Sequence, residues 1–546
     1  MLTFVSQDRL IKKLNQYFTS QNLPLKCDEE GICNGLAYVY SQYVLMGSEE
    51  KFHRLLEAIA GDKVDELLEP AELELFITHV LLSFMPEQYN KELNQAKSIL
   101  AFGESETVFE LGMVLKDKEW ASVFKDIDLK DDEVMLVNSI DHTIAISRKN
   151  GKYIVYDPNY LFGFYPIKSE QALIRELHKN VFAGQGKELG LRVNIVKKKS
   201  EVSSLIKRNA LNFYQNYIIK DNINLTAKIN DRTTNNVLLA IECDDKDSID
   251  YLLSLGTQVD DRALGKAIIG NHAKVIPALI ENQSFENRTI NSSIIVAIEH
   301  GRLEAFNALM MDHRFKNQFN TVFLNINKPM LIKNAAQGGN LKLLQLIIDE
   351  FKKNTTRYHD IKSAMQKNDH CKSALIAAID GGSTECIRLL INTLKSYDIE
   401  VSNKIKIECF LHALKSNQPY VCTTLLKELP PDDLMHIQMS LSMVEKTNLH
   451  ILKELKNHGV IFSEKAEAII NKKEQRAVGV WLSFQIALDM IFEYLYKKQD
   501  ITCLVSDAPV SEKAAGNDIK KNFKDSFQEI KRAEADSAFL KDQKRM

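Results

Sequence analysis

The chain has 546 residues, 45% of them apolar and 26% charged, with 70 basic and 73 acidic side chains and a formal charge of −3. That length exceeds what one hydrophobic core serves and predicts roughly two to four domains. The near balance of charge excludes nucleic-acid binding driven by bulk electrostatics and leaves no overall nucleic-acid signature.

The opening stretch, MLTFVSQDRLIKKLNQYF, lacks the sustained apolar run of a Sec signal. Helical periodicity runs through 6–20, 33–46, 51–60, 71–85 and 88–102. The pattern then changes to short strands at 132–139, 142–147 and 151–157, with RKNG (148–151) as the hairpin turn between the last two. A helix near 168–180 precedes another strand at 191–198. Helices followed by antiparallel strands predict an α+β domain over 1–200, and 201–234 reads as a helical connector with an Asn-rich end.

From 235 to 460 the sequence repeats. Ala240, Ala267, Ala297, Ala335, Ala378, Ala413 and Met443 stand at equivalent points, at successive steps of 27, 30, 38, 43, 35 and 30 residues. Each copy sets a small residue in a short first helix, then a polar tip, then a second helix ending in paired Leu or Ile. Six or seven irregular helical hairpins follow, an all-α solenoid. It resembles ankyrin repeats, whose unit is about 33 residues, with HEAT-like pairing as the competitor. Gly301, Gly339 and Gly382 fall where that family places a glycine after its first helix, and Asp244, Asn271 and Asn417 replace it in other copies. The TPLHxA opening of a consensus repeat is absent.

Residues 461–510 are expected to form a helical cap on the last repeat. Within it, AVGVWLSFQIALDMIFEYLY (477–496) has the length of a membrane span, but Gln485, Asp489 and Glu493 line one polar stripe, which favours a packed helix and no membrane span. The charged segment 511–546 reads as a helical or disordered tail.

Eight cysteines follow no repeated spacing and form no CxxC pair. They predict reduced thiols in a reducing compartment and neither a disulfide framework nor a structural zinc site. Without a Walker A loop, a GxGxxG, an HExxH or an EF-hand pattern, no cofactor or metal is expected. His79, in ITHVLL, reads as a core residue of an apolar helix.

One thiol differs from the rest. In GICNGLAYVY (31–40), Cys33 opens an apolar helix. A thiol attacks as its thiolate, which helix N-termini favour, and it then needs a base and a group to orient that base. His142 begins a strand and Asp157 closes the next one. Counted outward from a turn centred on Asn150 they are cross-strand neighbours to within one residue.

GxCxGLA opening a helix, HTIAI on a strand and YDPN closing the next resemble the papain-like (clan CA) cysteine peptidases over roughly residues 20–200. The likeness is to the compact bacterial effector branch typified by Yersinia outer protein T. It implies Cys33 as nucleophile, His142 as general base and then acid, and Asp157 as the orienting carboxylate, with Pro158 and Asn159 shaping the turn beyond. Where such peptidases often carry an oxyanion-hole glutamine, this chain has Cys27. Gln21, Asn22 and Asn34 are the substitute candidates, together with the Cys33 backbone N–H.

Joined to a repeat array, such a domain is similar to type IV secreted ankyrin-repeat effectors of intracellular bacteria such as Legionella. The expectation is a cysteine peptidase acting on a host protein held by the repeats, delivered by a non-Sec route to host cytoplasm or nucleus. The same triad serves deamidation, acyl transfer or isopeptide cleavage. The alternative is a catalytically silent domain whose repeats act as a host-protein-binding module.

Overall fold

The computed structural model describes residues 5–20, 27, 31–61, 76, 80, 105–198 and, with short interruptions, 208–476. Its mixed α+β chain divides into two compact units. One comprises Met1–Glu104, Pro158–Gly163 and Ala468–Met546; the other comprises Ser105–Asp157 and Phe164–Glu467. The sheet therefore falls in the same unit as the helix pairs.

In the first unit, α1 (Gln7–Ser20), α2 (Cys33–Leu45) and α3 (Glu49–Gly61) follow the expected periodicity. α1 buries Leu10, Ile11 and Leu14 along one stripe. α2 buries Leu36, Ala37, Val39, Tyr40 and Tyr43, so most of its circumference is core. It ends at Gly47 with φ +68, where the Ser48 N–H reaches back to Tyr43 O (2.8 Å) in a left-handed helix cap. Phe52 of α3 packs edge-on against Tyr40 (ring centroids 5.4 Å) and Phe76 (5.6 Å). The helices expected at 71–85 and 88–102 lie outside the described residues apart from Phe76 and Val80, and so does His79.

The second unit opens with a six-stranded antiparallel sheet. Its strands are β1 (Ser105–Leu115), β2 (Glu133–Asn138), β3 (Thr143–Lys149), β4 (Lys152–Tyr156), β5 (Phe164–Ile167) and β6 (Leu189–Lys198), in the order β1-β6-β2-β3-β4-β5. Strands β2 to β5 form a meander. Asn150 (φ +52) and Gly151 (φ +70) make the two-residue β3–β4 turn, both left-handed as a type I′ turn requires. A helix, α4 (Asp117–Ile127), packs beside α5 (Glu170–Glu176) and sends the Trp120 indole N–H to Leu189 O (2.9 Å).

The sequence reading passed over β1 and β5. Gly112 lies within β1, and a Cβ there would stand 2.7 Å from Leu239 O. The residue that weakens the strand pattern is the one that lets the first repeat helix approach the sheet. Beyond α6 (Ala210–Tyr217), the supposed connector folds as a hairpin, β7 (Thr226–Ile229) with β8 (Arg232–Asn235). The expected helical connector over 201–234 is thus helical at Ala210–Tyr217 and a β-hairpin beyond. Ala227 joins Val114 and Leu239 in a small core, and Asn236 Oδ1 accepts the Val114 N–H (2.7 Å). The hairpin and first repeat helix close over β1.

Helix pairs then follow at each repeated segment. They are α7 (Asn236–Glu242) with α8 (Lys246–Ser254), α9 (Asp261–Ile269) with α10 (Ile276–Glu281), and α11 (Asn287–Glu299) with α12 (Leu303–Met311). After α13 (His313–Gln318) come α14 (Lys328–Gln337) with α15 (Leu341–Lys352), α16 (Asn368–Asp380) with α17 (Thr384–Ser396), and α18 (Asn403–Lys415) with α19 (Pro419–Leu426). The last pair is α20 (Leu441–Lys446) with α21 (Leu449–Asn457), followed by α22 (Glu464–Arg476). First helices pack on first helices from α7 through α20. All six equivalent alanines are fully buried where these helices meet, because only a small side chain lets two helices approach closely. In the seventh copy Val444 is buried instead and Met443 is half-exposed, one residue off the expected register.

The tips explain the alternation of Gly with Asp and Asn. Asp244, Asn271, Gly301, Gly339 and Gly382 all have φ between +49 and +70, the left-handed region that glycine tolerates best and Asn and Asp next. Where a side chain is present it caps the following pair: Asp244 Oδ1 accepts from Lys274 N and Asn271 Oδ1 from Ala305 N, each at 3.1 Å. Where it is absent the next tip moves in, and a Cβ on Gly301 would fall 2.2 Å from Gly338 O. Gly301→Ala combines a left-handed penalty with overpacking. It is expected to lower stability by about 2–4 kcal/mol, read as a drop in urea midpoint with unchanged slope.

Candidate functional site

His142 and Asp157 are brought together within the second unit. The β3–β4 ladder ends at Ala145 opposite Tyr156. One further step sets Asp157 opposite Ile144, two residues from His142. The turn is centred between Asn150 and Gly151 rather than on Asn150, so the offset is two and not one. An even offset keeps both side chains on one face of the sheet, where an odd offset would have parted them. His142 Nε2 lies 2.8 Å from Asp157 Oδ1, and the two side chains are only 9% and 2% exposed.

In the tautomer that lets the carboxylate accept this bond, Nε2 carries the proton. Burial strengthens this bond by excluding competing water. The residue is held at its backbone by Ser139 and at its ring by Phe182. Ser139 Oγ accepts the His142 backbone N–H (3.2 Å), and the Ser139 N–H donates to His142 O (2.8 Å). Phe182, just after a single π-helical turn at Leu177–Val181, sets its ring edge-on to the imidazole at 6.1 Å. Neither Ser139 nor Phe182 was singled out by sequence. A serine three residues before a strand histidine is a weak signal, and Phe182 has none. Asp141 does not compete for the ring: it is exposed and accepts from Ser139 Oγ at 3.0 Å.

Cys33 belongs to the first unit. It is the first residue of α2 and is half-buried, and its N-cap, Ile32, supplies no side-chain cap. Asn34 is half-buried in the same turn, while Gln21 and Asn22 lie outside the described residues. Cys27 is structural: it is 1% exposed, its backbone is held from both sides by Asn15 (2.7 and 3.2 Å), and burial pushes its thiol up to about 12.

Burial likewise raises Cys243 and Cys409 to about 12 and Cys371 to about 11, and it moves Cys422 upward. Those thiols are protonated at neutral pH; Cys371, Cys409 and Cys422 are buried as well, while Cys243 is half-buried. Among the described residues no cysteine is in a disulfide.

Among the described residues no group of three or more His, Cys, Asp or Glu is arranged to hold a metal ion, and no helix is long and apolar enough to cross a membrane. The segment 477–496 lies outside those residues, as does the tail. Compared with family models, curated proteins and solved structures, the chain matches none.

Proposed function

We propose that this chain is a thiol hydrolase of the papain-like kind, with Cys33 as nucleophile, His142 as base and then acid, and Asp157 as the carboxylate that orients the imidazole. The observation that carries this reading is the buried His142–Asp157 pair, because it is the unit a cysteine nucleophile requires. With Nε2 turned to Asp157, proton exchange with the thiol runs through Nδ1. The Cys33 thiolate attacks a carbonyl carbon, and backbone N–H groups at the start of α2 receive the developing oxyanion, with Asn34 the side-chain candidate. The imidazolium protonates the leaving group, a thioester forms, and water or another acceptor resolves it. A water acceptor makes the enzyme a peptidase, isopeptidase or deamidase; an amine acceptor makes it an acyltransferase.

The helix pairs support an ankyrin-type reading of 235–460, since a small buried residue recurs in six copies and a left-handed tip in five. In that reading the array captures a host protein for the thiol site, and the chain is an effector that reaches host cytoplasm or nucleus by a non-Sec route. One observation favours a second reading. Cys27 stands where papain relatives often have their oxyanion glutamine, and it is locked into structural hydrogen bonds. In that case the domain is silent and the repeats act alone as a binding module.

Peptide mapping after brief exposure of the full chain to iodoacetamide near neutral pH separates the two. A working site predicts labelling concentrated on Cys33, at least about tenfold faster than at any other cysteine. Labelling spread evenly, with Cys33 no faster than the rest, assigns the function to the repeats.

A further inference from the structure

We propose that Gln7 is the positioning residue of the Cys33 site, an inference that rests on the thiol-hydrolase reading. Gln7 is the first residue of α1 and is 8% exposed. Its three polar groups are used in three directions. The backbone N–H donates to Pro158 O (2.6 Å), Oε1 accepts the Ile32 N–H (3.1 Å), and Nε2 donates to Asn159 Oδ1. Ile32 directly precedes Cys33, and Pro158 and Asn159 directly follow Asp157. All of these Gln7 contacts lie within the first compact unit.

Two features show that the arrangement is built. Gly31 has φ +134, and a Cβ there would stand 3.2 Å from Gln7 Oε1, so a glycine beside the thiol admits the amide. The chain before α1 also runs along the 158–161 segment, where the Val5 N–H donates to Leu161 O (2.8 Å). Gln7 thus joins two segments of the first unit by one buried amide, one leading into Cys33 and the other following Asp157 in sequence. A buried primary amide with both ends engaged holds its partners in fixed planes, since any rotation leaves a desolvated donor or acceptor unpaired. The peptide plane at Ile32 in turn sets the direction of the first N–H groups of α2, Cys33 included. A small misplacement of such groups costs reactivity steeply.

The alternative, that Gln7 is itself an oxyanion donor, makes a different prediction. Alkylation by a small halide forms no oxyanion, so loss of a donor would leave alkylation untouched. Loss of a positioning residue slows it.

The test uses the full chain, with the rate of Cys33 alkylation by iodoacetamide followed by peptide mapping between about pH 5 and pH 9 and the melting temperature measured alongside. Gln7→Leu keeps the size and removes both hydrogen bonds. It is expected to slow Cys33 by about tenfold and to shift the rate–pH profile. Gln7→Glu retains an acceptor for the Ile32 N–H, and Asn159 turns its amide to donate to the second oxygen. It is expected to stay within about twofold of wild type. Asn159→Ala removes one partner only, is expected to cost about threefold to fivefold, and decides the matter should Gln7→Leu fail to fold.

Wild-type rates in both folded Gln7→Leu and Asn159→Ala, with His142→Ala still slow, overturn the role of Gln7 and leave the thiol site standing. A wild-type Cys33 no faster than the other thiols and indifferent to His142→Ala overturns both.

Discussion

His142→Ala is expected to slow alkylation of Cys33 near neutral pH by about 10²- to 10³-fold, the usual worth of a positioned base. The size of the effect follows from the surroundings of the ring. The imidazole is almost wholly buried, with a carboxylate on one nitrogen and the edge of Phe182 against its face. On the proposed reading, water cannot readily take over the part of this ring, and a variant without the base would also lack the charge partner proposed for the thiolate. Variants at Asp157 grade the effect. Asp157→Asn keeps an oxygen to accept from Nε2 but loses the charge that stabilises an imidazolium, and about a tenfold loss is expected. Asp157→Ala releases the ring as well and should fall between that and His142→Ala. Equal rates in wild type and His142→Ala would show that no base acts on the thiol from this position.

The largest effect on stability is expected at Arg208, a residue remote in sequence from the sheet it holds. Its guanidinium pairs with both carboxylate oxygens of Glu133 (2.9 and 2.7 Å) and donates to Ile127 O (2.7 Å) and Asp128 O (3.2 Å). The two side chains are 10% and 9% exposed. Burial pushes the Glu133 carboxyl up, but the hydrogen bonds from Arg208 and from the Lys130 N–H outweigh it and hold the group below the ordinary glutamate range. A depressed carboxylate contributes its stability in full above its unfolded pKa, about 4.3, and loses it as pH falls through the folded value.

Arg208→Ala leaves that carboxylate buried and uncompensated, at a cost of about 3–5 kcal/mol at pH 7. Burial is then opposed only by Lys130, whose N–H still reaches Glu133 (3.0 Å); the carboxyl pKa moves upward, and the sign reverses: the variant is least penalised where Glu133 is protonated. The gap between wild type and Arg208→Ala in urea unfolding should therefore narrow towards pH 4. Adding Glu133→Gln to Arg208→Ala should restore part of the loss at pH 7. A gap that stays constant across this range would place the contribution of Arg208 in its packing and carbonyl contacts.

The helices α1 to α3 and the central strands β2 to β4 were legible because each carries its own period. Stripes at 3.6 residues mark α1 and α3, and short β-branched runs flank an Asn-Gly turn. The repeats were legible because the same small residue returns, and it is buried in six of the seven copies. What escaped was whatever depends on a neighbour distant in sequence. Gly112 weakens β1 as a pattern and only makes sense beside Leu239. The hairpin β7–β8, polar and Asn-rich, reads as a linker until Ala227 is seen against Val114. The seventh repeat slips by one residue because a single valine outcompetes a methionine for the core.

At the candidate site the division is the same. Cys33, His142 and Asp157 were named by residue type and local context: a thiol at a helix start, a histidine opening a strand and a carboxylate closing the next. The chain alone determined those identities, the antiparallel hairpin that joins two of them and the repeating helix pairs that follow. Only the tertiary structure decided that His142 and Asp157 share a face, because one residue of turn register separates same-side from opposite-side. It alone drew in Ser139 to hold the His142 backbone and Phe182 to pack on the ring, and set Gln7 across the entrance to α2. Side-chain direction in a strand depends on a register that two segments fix jointly, and a buried hydrogen bond depends on partners that sequence separation hides.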